Sequence, residues 1–92
     1  MEIYFLEWDD ENEEHLARHG LTPGLVRQVL ANRHITVENP KQEERVLLIG
    51  ETHGGTLVTI SLAPTRDPGT WRPVTGWSAT EAERKLFRRH VR

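Results

Sequence analysis

The chain has 92 residues, no cysteine and a formal net charge of −2, with 12 Lys and Arg against 14 Asp and Glu. That length suits a single domain over residues 1–92 with one core, and the absence of cysteine removes disulfides, thiolate nucleophiles and cysteine-bound zinc together. No apolar run approaches the roughly 20 residues of a membrane span, and Met1-Glu2-Ile3-Tyr4 lacks the basic-then-apolar layout of a signal peptide, so a soluble cytoplasmic chain is expected.

The first element is short and aromatic: Tyr4-Phe5-Leu6-Glu7-Trp8 suits a strand. Asp9 or Asp10 then offers a side-chain oxygen to cap a helix from about Glu11 to His19. Its carboxylates lie at the N-terminal end and Arg18 and His19 at the other, which matches the macrodipole, and Gly20 is free to take the left-handed conformation that closes a helix. Thr22-Pro23 places a cap and a first-turn proline in order, with Leu21 set to staple onto Val26. Leu25, Val26, Val29 and Leu30 give the second helix one apolar stripe, ending near Asn32.

The period then changes from helical to alternating. His34 to Glu38 reads as a strand stopped by Asn39-Pro40. Arg45 to Glu51 and Thr56 to Ala63 are β-branched and aliphatic runs joined by Thr52-His53-Gly54-Gly55, a hairpin turn. Pro64 to Thr70 reads as a longer loop before a last strand, Trp71 to Trp77, in which Pro73 requires an edge or a bulge. Thr80-Glu81-Ala82-Glu83 fits a capping box opening a final helix, whose apolar face is Ala82, Leu86, Phe87 and Val91.

The order βααββββα specifies an α+β domain: two N-terminal helices, an antiparallel sheet of about four strands plus an N-terminal strand, and a C-terminal helix. All three helices are expected on one side of the sheet, leaving the other side available. Charge is divided along the chain. Glu7, Asp9, Asp10, Glu11, Glu13 and Glu14 crowd one end, and Arg84, Lys85, Arg88, Arg89 and Arg92 the other. Such helices either attract each other or face different partners.

Taken together, Phe5-Leu6-Glu7-Trp8-Asp9, Asn12 and Arg18-His19-Gly20-Leu21 resemble the F-x-W-D, N, K-H-G-V opening of the BrnT ribonuclease toxins. Glu43-Glu44-Arg45-Val46-Leu47-Leu48-Ile49-Gly50 is similar to that family's E-E-R-x-x-x-I-G strand. Ala79-Thr80 through Glu83-Arg84 and Phe87 is similar to its A-T-x-x-E-R-x-x-Y helix. The resemblance spans nearly the whole chain and rests on the order and spacing of short pieces. It implies a RelE-like fold, RNA cleavage that halts translation, no cofactor, and neutralisation by a ribbon-helix-helix, BrnA-like antitoxin in a hetero-oligomer, with RNA and the ribosome as further partners. One departure stands out: where the family's last strand ends in S-A-R, this chain reads Thr75-Gly76-Trp77.

Metal-free RNA cleavage uses the adjacent 2′-hydroxyl as nucleophile, so the protein must supply a base, an acid and positive charge for the phosphate. Arginine suits the last role because it stays charged and forks onto phosphate oxygens. By the resemblance Arg66 and Arg72 are phosphate clamps, with His19 as the histidine of K-H-G. Histidine, with an unperturbed pKa of about 6.5, is the natural acid or base, but a helix C-terminus favours His19 structurally as well. Arg45 is a third phosphate candidate or a salt-bridge partner of Glu43 or Glu44. Trp77 can stack on a base or pack the sheet, and Arg88 can touch phosphate or lie on a solvated face. His53 belongs to the turn, and His15 and His90 to exposed helix faces. His15 and His19, four apart, lack a third metal ligand, so no metal site is expected. Three functions remain: a metal-independent endoribonuclease toxin, a non-catalytic relative that keeps a partner-binding surface because of Trp77, and a stand-alone RNA-binding domain.

Overall fold

The computed structural model describes residues 2–91; Arg92, counted above with the basic end, lies outside them. Eight elements follow one another: β1 (Phe5–Leu6), α1 (Asp10–Ala17), α2 (Pro23–Ala31), β2 (His34–Glu38), β3 (Val46–Glu51), β4 (Leu57–Pro64), β5 (Thr70–Ser78) and α3 (Glu81–His90). The class is α+β, as expected.

The helix ends follow the local chemistry. Asp9 is the α1 cap, forming a reciprocal box with Asn12, and Thr22 caps α2 with Pro23 in its first turn. Thr80 and Glu83 form the box at α3. Gly20, at φ +77°, closes α1 while the Leu21 and Gly20 amides bond to the carbonyls of Leu16 and Ala17 at 3.0 Å each, the paired bonds of a Schellman turn.

The strands form one five-stranded sheet in the order β1-β5-β4-β3-β2. Neighbours among β2 to β5 are antiparallel, and β1 pairs parallel with the start of β5, Phe5 against Thr70 and Leu6 against Trp71. Pro73 is tolerated for both reasons anticipated. The register shifts beside it, with Leu62 opposite Pro73 and Ser61 opposite Thr75, which leaves Val74 as the extra residue. On its other side the strand has passed the end of β1, and the Asn12 side-chain amide takes the Pro73 carbonyl at 2.9 Å.

The helices do not share one side of the sheet. Leu16 of α1, Leu21, and Val26 and Val29 of α2 pack with Val46, Leu48, Val58, Ile60 and Leu62 on one face. Phe87 of α3, with Leu86 partly buried, packs with Leu47, Ile49 and Leu57 on the other. The expectation of a bare face is therefore corrected. Strand β3 is apolar at successive positions and β4 is buried at successive positions, so both faces of the sheet take cover, and the amphipathic α3 supplies it on the side that α1 and α2 leave. The acidic and basic helices consequently lie on opposite faces and cannot pair with each other.

A half-covered face with a basic and aromatic groove

Because side chains alternate along a strand, the register fixes which residues share the α3 face. Leu47, Ser61 and Thr75 stand opposite one another in a row across three strands, and Ile49, Thr59 and Trp77 form the next row. Helix α3 covers the second row. Over the first, a groove of about 400 Å³ remains open, lined by Leu47, Ser61, Thr75, Trp77 and Arg45, by Glu83 of α3 and its N-cap Thr80, and by Asn39 to Gln42 of the β2–β3 loop.

Glu83 organises the α3 end of the groove. Its carboxylate accepts the Thr59 hydroxyl at 2.8 Å, the Trp77 indole N–H at 3.0 Å and the Thr80 amide at 2.8 Å. Burial opposes its charge, but the bonds from Thr80, Thr59 and Trp77 outweigh that and hold its pKa below the ordinary glutamate value. One carboxylate thus caps α3, orients Trp77 and bonds to the Thr59 hydroxyl at the sheet centre. At the other end Arg45 is half-buried and, among the described residues, joins none of the ion pairs, which link Arg18 to Glu14, Arg33 to Glu51, and Arg72 to Glu7 and Asp9. Lys41 adds a second cation to the lining.

Arg72 pairs with Ala63, two residues beyond Ser61, so its side chain starts on the groove face. It turns outward over the free edge of β5 and forks onto the Asp9 carboxylate, with Nη2 at 3.2 Å from Oδ1 and Nη1 on the second oxygen, while Glu7 lies 3.6 Å away. The Arg72 guanidinium and the Asn12 and Glu11 amides hold the Asp9 carboxyl below its ordinary range. The same fork ties the α1 cap to β5.

Of the residues singled out in the sequence, Arg45 and Trp77 line the groove and Arg72 lies on the same face at its rim. The others lie apart. Arg66 is exposed in the loop joining β4 to β5, and Arg88 is exposed in the second half of α3. His19 is exposed just after α1, its ring 5.3 Å from that of His15 and tilted by 54°. Sequence reasoning did not single out three groups the fold brings in: Glu83 as an indole acceptor, Thr75 in the groove floor, and His15, whose Nε2 lies 3.1 Å from the Thr75 hydroxyl. The S-A-R departure was the available signal for Glu83, since a residue at position 77 faces the helix that the capping box begins.

No family model matches the sequence, and no curated protein matches it. Among solved structures the chain is similar to the 1.1 Å crystal structure of the Brucella abortus ribonuclease toxin BrnT, with a TM-score of 0.61 and 18% identity over 88% of this chain and 100% of that one. The chain therefore has the BrnT fold, as its sequence motifs implied; at this identity the likeness carries the fold and leaves activity to be argued from the site.

Proposed function

We propose that this chain is a ribonuclease toxin of a type II toxin–antitoxin pair, acting in the cytoplasm as a metal-independent endoribonuclease. RNA lies along the groove on the α3 face. The observation that carries this reading is Arg45, a half-buried guanidinium with no ion-pair partner among the described residues, set in the same groove as the indole of Trp77. A free guanidinium answers a phosphate and an aromatic ring answers a base, the two chemistries that single-stranded RNA presents. Arg72 stands at the rim as a third cation, already paired with Asp9 and Glu7. Arg66, Arg88 and His19 stand away from the groove, where the exposed arginines can meet only more distant phosphates of a longer RNA.

The antitoxin in this reading is a ribbon-helix-helix protein of the BrnA kind, forming a hetero-oligomer that hides the groove, and the RNA is cut free or on the ribosome. Induced expression with and without the adjacent reading frame, followed by sequencing of RNA ends, tests it. Growth arrest with new RNA ends, relieved by the neighbour, is the expected result; a folded protein that leaves growth and RNA intact contradicts it.

A second reading has one specific observation behind it. Trp77, in the place of the family's arginine, has its indole N–H committed to Glu83, so the strand end offers no free cation there. A non-catalytic domain binding RNA or protein through the same groove fits that arrangement. Trp77→Arg separates the two: new cleavage absent from the parent favours the non-catalytic reading, and parental cleavage lost in Arg45→Ala favours the enzyme.

A further inference from the structure

The groove face described so far supplies charge and stacking, and its one carboxylate is engaged by its surroundings: Glu83 Oε1 accepts from Thr59, Trp77 and Thr80, and Oε2 takes a second, longer bond from the Trp77 indole at 3.3 Å, while Arg45 and Lys41 are cations. A histidine approaches from the opposite side of the sheet. Strand β5 passes the end of β1 after Trp71, and α1 lies along the edge thereby exposed. His15 reaches over that edge, and its Nε2 meets the hydroxyl of Thr75, a residue of the groove floor, at 3.1 Å.

We infer that His15 is the general base of the groove, taking the proton of an RNA 2′-hydroxyl that displaces the Thr75 hydroxyl from its Nε2. This rests on the ribonuclease reading and supplies the proton acceptor which that reading lacks. In the neutral tautomer that carries its proton on Nδ1, the imidazole accepts from Thr75 through Nε2, and that lone pair then faces the Thr75 hydroxyl at the groove floor. In the reaction the 2′-oxygen bonds to phosphorus as its proton passes to Nε2. The bond from phosphorus to the 5′-oxygen breaks, and that oxygen takes a proton from water in the open groove. The products are a 2′,3′-cyclic phosphate end and a 5′-hydroxyl end, and the imidazolium then returns its proton to solvent. Around His15 stand Glu11 and Arg72, which share a small cleft with it, and His19 on its own helix. Arg72 thus adjoins the base and is placed to meet the phosphate whose neighbouring hydroxyl is activated. Thr75 is a positioning residue, holding the ring until substrate arrives.

The test is single-turnover cleavage of a short RNA by the full chain across about pH 5 to 9, which brackets the roughly pH 5 to 8 interval in which histidine changes charge, beside binding of the 2′-O-methyl form, which cannot be cleaved. The parent should slow on the acid side as the base is protonated. His15→Gln, which keeps a polar side chain but accepts no proton, should cleave about 10²-fold or more slowly, lose that acid limb, and bind the methylated RNA as the parent does. Thr75→Val should slow cleavage modestly and keep the limb, and Thr75→Ser should restore the rate. His90→Gln, a remote exposed histidine, serves as the control. Cleavage by His15→Gln at the parental rate with the acid limb intact overturns the inference while leaving the ribonuclease reading standing. A parent that binds the methylated RNA but cuts no RNA overturns both.

Discussion

The two faces of the sheet are built to different standards. Under α1 and α2, nine buried apolar residues make one continuous core, and the polar groups at its border are tied down: Asn12 bonds to the Glu7 and Pro73 carbonyls at 2.9 Å each, and Arg72 to Asp9. Under α3 the buried cluster is smaller, and the row Leu47, Ser61 and Thr75 is left at the floor of an open groove with Arg45 beside it. The first face holds the fold together. The second presents a cation, an indole and two hydroxyls on a sheet held in place largely by the first.

The most direct way to break this contrast is to hollow the first face. Leu16→Ala, at a fully buried position, should cost about 2 to 5 kcal/mol in chemical denaturation, a large part of the stability of a chain this size. Asn12→Ala should follow at about 1 to 3 kcal/mol, because the buried Pro73 carbonyl and the partly buried Glu7 carbonyl lose their donor; thermal melts check it.

Acid probes the second face. Glu83 has a folded pKa below its ordinary value of 4.5, so its stabilising bonds are fully present above that value and are lost as pH falls through the depressed one. Melting temperatures between pH 3 and 7 should therefore fall more steeply for the parent than for Glu83→Gln, and an equal slope in the two proteins would remove Glu83 from the account. The smallest effect on stability belongs to Arg45→Ala, which should change it by no more than about 0.5 kcal/mol, since among the described residues the side chain has no ion-pair partner to lose.

Much of the fold was legible because its signals are local. Thr22-Pro23, the Thr80–Glu83 box, Gly20 and the Gly54-Gly55 turn each act within a few residues, and the strand from His34 to Glu38 begins and ends where the alternation does. The placement of α3 on the far face was missed because an amphipathic pattern states that a helix has an apolar side and not which face of a sheet receives it. The unbroken apolar run of β3 was the clue that both faces needed cover. The site was legible in part. Arg45 and Trp77 could be named from motif positions, whereas Arg72 with Asp9 and His15 with Thr75 join residues about sixty positions apart, and only the passage of α1 along the free edge of β5 makes them neighbours.

The central claim, that the α3 face binds RNA through Arg45, is tested most directly by fluorescence anisotropy of a labelled, 2′-O-methylated single-stranded RNA titrated with the parent and with Arg45→Ala at several salt concentrations. The account predicts affinity about tenfold weaker or more in the variant, from one lost charge-assisted contact, and a log–log salt slope shallower by about 0.7. Equal affinity and equal slope in a folded Arg45→Ala would contradict it.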